Sequence, residues 1–104
     1  MKPIIRCTTP THVFHLPKLD YDEIRVNYKQ GGELVLVKHG ADLRIEETDE
    51  TVDVFVDLSQ SDTKAFVADR DVEFDVDALL TTGKRWNSGT FVRDVADVLN
   101  DEVM

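Results

Sequence analysis

Two stretches of the chain alternate strictly between apolar and polar positions. Across residues 51–58, Val52, Val54, Val56 and Leu58 share one side of an extended backbone. Val72, Phe74, Val76, Ala78 and Leu80 repeat the pattern against Glu73, Asp75 and Asp77. Side chains of a strand point to opposite faces with period two, so each run predicts one buried face and one wet face, as in antiparallel sheet.

The remaining elements follow from weaker patterns. A short apolar run at 4–7 precedes a break at Thr9-Pro10-Thr11. His12 to Leu16 then reads as a strand ending at Pro17, either a second short strand or the continuation of a kinked first one. Residues 23–29 alternate with Ile24, Val26 and Tyr28 inward, and Gln30-Gly31-Gly32 supplies a hairpin turn into a strand at 33–38. His39-Gly40-Ala41 reads as another turn, Leu43 and Ile45 as a short strand, and 46–50 as an acidic connection. Residues 59–66 break the alternation, and Ser59 followed by polar residues predicts one capped helical turn crossing between sheets. Thr81 to Lys84 is a turn with Gly83 at its flexible position. The last segment is ambiguous. Phe91, Val92, Val95, Val98 and Leu99 fit a helix face capped by Ser88, whereas Val92, Ala96 and Val98 fit a strand interrupted at Asp94, and the pattern alone favours the helix. Strand and turn recurring about every 8–12 residues predict an all-β sandwich, a single domain over residues 1–104 with no repeat or long linker.

Composition sharpens this picture. With 41% hydrophobic and 32% charged residues, the chain belongs among folded globular proteins. Twenty-one acidic against 12 basic residues give a net charge of −9, a field that repels phosphate backbones and anionic lipid, so neither nucleic acid nor membrane is expected as a partner. Cys7 is the only cysteine, which excludes an intramolecular disulfide; it reads as a partly buried small apolar side chain. No secretory signal and no membrane span are legible, so production in the cytoplasm is expected.

Candidate chemistry is sparse. His12 and His15 are three apart in a strand and so face opposite sides, which prevents both from reaching one metal. Glu73, Asp75 and Asp77 form a solvated row rather than a converging calcium site. No cofactor, metal or catalytic constellation is expected, and the chain reads as non-enzymatic. Trp86, flanked by Arg85 and Asn87, is the large aromatic nearest a turn. Tryptophan and arginine concentrate binding energy, so Arg85, Trp86 and Asn87 are the candidate partner-binding residues, with Trp86 as a cover for the open end of the core being the competing reading. Tyr21 and Tyr28 are expected to pack with their hydroxyls at the rim.

Several of these segments also stand in a familiar order. Residues 9–17, the run Glu23-Ile24-Arg25-Val26-Asn27-Tyr28-Lys29-Gln30 followed by Gly31-Gly32, the helical turn at 59–66, the Gly83-Lys84 hairpin and the closing 98–103 together cover nearly the whole chain. In that order they resemble small proteins of tailed phages and prophages of Gram-positive bacteria, similar to the N-terminal domain of the phage baseplate upper protein. The resemblance implies an immunoglobulin-like antiparallel β-sandwich of about seven strands with one short helical turn, and it implies that residues 91–99 are its last strand. It further implies a structural tail-tip or baseplate module without a catalytic site. Its partners would be other phage structural proteins or its own copies, and its destination the virion. Two alternatives of other classes stand beside it. One is a carbohydrate-binding module with Trp86, Tyr21 and Tyr28 lining one face; the other is a small regulatory or anti-defence protein.

Overall fold

The computed structural model describes residues 3–104. Ten strands form: β1 (Ile4–Ile5), β2 (Thr11–Pro17), β3 (Tyr21–Gln30), β4 (Glu33–His39), β5 (Leu43–Glu47), β6 (Thr51–Asp57), β7 (Val72–Leu80), β8 (Arg85–Asn87), β9 (Phe91–Arg93) and β10 (Val95–Ala96). A 3-10 turn at Gly40–Asp42 separates β4 from β5, and helix α1 spans Gln60–Lys64 between β6 and β7. Ser59 caps α1 as expected, its side chain accepting from the Asp62 amide while the Asp62 carboxylate accepts from the Ser59 amide.

One antiparallel sheet has the order β2-β6-β5; the other has the order β4-β3-β7-β8, with β9 also on β7. If β2 to β7 are lettered B, C, C′, D, E and F, and the β8–β9 arm G, the sheets read B-E-D and C′-C-F-G. That is the strand order of an immunoglobulin-like sandwich. Two residues of β1 pair in parallel with β10, Ile4 beside Val95 and Ile5 beside Ala96.

The core lies where the alternating faces meet. Val52, Val54, Val56 and Leu58 from one sheet and Val72, Phe74, Val76 and Ala78 from the other are all buried. An immunoglobulin domain of the antibody type joins strands B and F by a disulfide under a tryptophan from strand C. Here aromatic rings occupy that region. His12 of β2 stacks on Phe74 of β7 with centroids 5.4 Å apart, Phe14 meets Phe74 edge-on at 6.0 Å, and Tyr28 of β3 stacks on Phe74 at 5.4 Å.

Three readings of the sequence need correction. Residues 91–99 form neither the favoured helix nor one continuous strand, because the chain breaks at Asp94 and its halves pair with different partners, β9 with β7 and β10 with β1. The first run is a strand only at Ile4–Ile5; Cys7 has φ 63, which ends it. Tyr28 is not at the rim but fully buried, its hydroxyl 2.8 Å from His12 Nδ1. Tyr21 does reach the rim, its hydroxyl donating to the Pro17 carbonyl at 2.6 Å.

The acidic surplus sets the pH response. Hydrogen bonds from His15 and then Thr51 hold Asp53 below the usual carboxylate range, and Arg44 and then Thr11 do the same for Asp57. Burial pushes Asp62 up, but bonds from Lys38 and the Ser59 backbone outweigh it and leave it lowered. A carboxylate with a depressed folded pKa adds stability that is present above its unfolded value and lost as pH falls through the folded one. Asp71 has the opposite sign: shared hydrogen bonding with Asp94, then burial, raises it, so its contribution weakens as pH rises. The melting temperature is therefore expected to drop below about pH 4. Asp71→Asn should raise it at neutral pH and low salt, with the gain vanishing in acid. A gain that persists in acid would rule out this origin.

Candidate functional site

The three residues singled out by sequence lie on β8, and strand alternation divides them. Arg85 and Asn87 project from the outer face of the larger sheet. Arg85 Nη2 donates to Asp77 Oδ2 at 2.9 Å, and Asn87 Nδ2 donates to Asp75 Oδ2 at 2.9 Å and Asp77 Oδ1 at 2.7 Å. Asn27 from β3 reaches the same two carboxylates at 2.9 and 3.1 Å. The row Asp75–Asp77 is thus bound into a polar lattice. Burial pushes Asp77 up, but bonds from Asn87, Arg85 and Asn27 outweigh it and hold its carboxyl low. Trp86 points to the other side, half-buried against the core and edge-on to Tyr21 at 6.5 Å. These three side chains therefore form no single patch.

An apolar groove opens on the flank to which Trp86 points. In an immunoglobulin sandwich a first strand, A, covers the outer edge of strand B. Here β1 is two residues long and pairs with β10, and among the described residues β2 has β6 as its sole ladder partner. The Leu58 amide donates to the Pro10 carbonyl at 3.0 Å, which fixes the phase of the ladder. Because antiparallel pairs alternate, His12, Phe14 and Leu16 direct their backbone groups toward β6. Thr11, Val13 and His15 direct theirs away from it. The Pro17 carbonyl obeys the same phase and is taken by the Leu19 amide at 2.9 Å and the Tyr21 hydroxyl. Among the described residues nothing pairs with the outward amides and carbonyls of Thr11, Val13 and His15.

Beside this edge a groove of about 520 Å³ opens between β2 and the β8–β9 arm, with Phe14, Phe74, Trp86 and Phe91 in its walls. A second hollow of about 670 Å³ continues it toward Ile4 and Pro10, and the two share Thr11, His12 and Arg93. Together they make one trench along β2.

Its ionic character differs from that of the rest of the molecule. Of 21 acidic residues none lines either hollow, and among the described residues Arg93 is the one formally charged lining residue. The Arg93 guanidinium lies 5.6 Å from the Phe74 ring centroid and donates to the neighbouring Val92 carbonyl. Among the described residues no carboxylate comes within 4.0 Å of it. Burial, and then Arg93, lower the pKa of His12, which favours its neutral form. His12 Nδ1 lies 2.8 Å from the Tyr28 hydroxyl and accepts from it in the tautomer that carries its proton on Nε2. His15 faces the opposite side of the strand and sits 2.7 Å from Asp53.

The charge pattern of the sequence carries a signal for this trench. Residues 7–17 are the longest stretch without Asp, Glu, Lys or Arg, and residues 86–92 are the next longest. Those two stretches form the two walls.

No protein-family model matches the chain, and no curated protein does. Among solved structures the chain is similar to the V domain of amphioxus IgVJ-C2, at a TM-score of 0.35 and 12% sequence identity, over 91% of this chain and 99% of that one.

Proposed function

We propose that the chain is a non-enzymatic assembly module, held by other proteins through the uncovered flank of its sandwich. The observation that carries this reading is the open β2 edge, where backbone groups without partners among the described residues run beside aromatic rings that a further strand would cover. The side chains that could do chemistry are engaged structurally: His12 with Tyr28, His15 with Asp53, and Cys7 in a turn where its sulfur lies 3.5 Å from the Asp101 carbonyl. Burial of Tyr28 takes away one of the three aromatics that a sugar-stacking face would need.

The setting proposed for this module is a phage or prophage tail tip or baseplate, with other phage structural proteins or its own copies as partners. Made in the host cytoplasm, it would end in the virion. Support for that setting is the sequence resemblance across residues 9–17, 24–32 and 98–103. Mass spectrometry of purified particles induced from a lysogen carrying this gene tests it. The protein is expected at stoichiometric copy number, and particles that lack it overturn the virion assignment.

A further inference from the structure

We propose that the trench is filled by strand addition. Its occupant is an extended segment of a different polypeptide, apolar at alternate positions and carrying one carboxylate that pairs with Arg93. This deepens the assembly reading and rests on it.

Three observations converge on that occupant. The outward amides and carbonyls of Thr11, Val13 and His15 present the alternating donors and acceptors that an added antiparallel or parallel strand uses. Natural edges are blunted by charged side chains, above all lysine, yet β2 contains none across Thr11–Pro17, while every other strand of at least five residues has two or more. A strand laid there would also cover Phe91, which is 37% exposed, and the uncovered sides of Phe14 and Trp86.

The charge decides between occupants. Arg93 stands at the joint of the two hollows without a carboxylate partner among the described residues, held over the face of Phe74. A carboxylate arriving on an added strand would form a charge-assisted bond in a partly desolvated setting. A second copy of this chain cannot supply it by pairing β2 with β2, because β2 has no acidic residue. It would also bring a second net charge of −9.

Proline provides the test. Val13 aims its amide outward, so Val13→Pro removes one edge donor and leaves the β2–β6 ladder whole. Phe14→Pro, one residue on, breaks the ladder and is expected to unfold the protein. A random linear peptide library is panned on the purified wild-type protein and counter-selected on Val13→Pro, whose fold is checked by its melting temperature. Enriched peptides are expected to alternate apolar and polar residues around a fixed Asp or Glu. They should lose about fivefold in affinity on Val13→Pro, the equivalent of one net hydrogen bond. They should also slow hydrogen exchange at the Val13 amide of the wild type, a readout that stands even if the proline variant misfolds. Arg93→Gln should erase the acidic preference and leave the alternation. Failure to enrich any peptide that protects Val13 overturns strand addition, and enrichment without an acidic position overturns the pairing with Arg93. A wild-type dimer by sedimentation that Val13→Pro dissolves replaces the foreign strand with a second copy. All of these readouts use isolated protein, so their failure is separable from absence of the chain in particles.

Discussion

Phe66→Ala should remove about 3–5 kcal/mol of stability, the range for truncating a buried phenylalanine to alanine. Phe66 is 1% exposed and enters the core just after α1, in the connection between β6 and β7. Its ring lies 5.9 Å from that of Tyr28, in line with the stack that continues through Phe74 to Phe91. The segment that carries it has no ladder of its own, so loss of the ring leaves a cavity that no neighbouring strand can slide to fill. A chain of this size has only about 5–15 kcal/mol in total. Each kcal/mol moves the melting temperature by about 4 °C or more. Urea titration should show a lower midpoint at unchanged slope. A midpoint near that of wild type would mean that the connection is not anchored through this ring.

Gln30→Leu should cost about 2–4 kcal/mol, although it exchanges a polar side chain for an apolar one of similar size. Gln30 ends β3 and is 8% exposed. Its Nε2 donates to the carbonyls of Val67 at 2.8 Å and Arg70 at 3.2 Å, and its Oε1 accepts from the Val67 amide at 2.6 Å. Leucine would leave an amide and two carbonyls of the 67–70 loop without these partners, and burying such groups unpaired is what carries the cost. Hydrogen exchange at the Val67 amide should accelerate together with the drop in melting temperature. Stability equal to wild type would show that water replaces the amide at no loss.

These two residues also mark where a sequence stops being readable. The inward sets of β6 and β7 could be listed residue by residue, because alternation within one strand dictates them locally. Gln30 looked like the first residue of a turn, since its partners lie 37 and 40 residues away. From sequence Tyr28 reads as a rim residue because a phenol usually keeps its hydroxyl wet, and the ring nitrogen beside that hydroxyl comes from another sheet. Residues 91–99 carry a helix-like spacing that two-residue and three-residue strands on separate partners can also satisfy. Tertiary pairing, not periodicity, chose between them. The division of Arg85 and Asn87 from Trp86 follows from period two alone once 85–87 is a strand. The trench was the least legible feature. Which strand lies at an edge depends on strand order, and strand order is a property of the whole chain.

The short parallel pairing of β1 with β10 has a mechanical meaning. The chain enters this pair at Ile4 and leaves it beyond Ala96, so the two exits lie at opposite ends of strands that run in the same direction. Tension along the polypeptide would act parallel to the strands. It would load the bonds from the Ile4 amide to Asp94 and from the Arg6 amide to Ala96 together with the Arg6–Asp97 ion pair, rather than one after another. A pull that would peel an antiparallel hairpin open from its free end must here shear the clasp in a single step. A few residues at each end of the fold would thus take up such a pull before it reached the sandwich behind them.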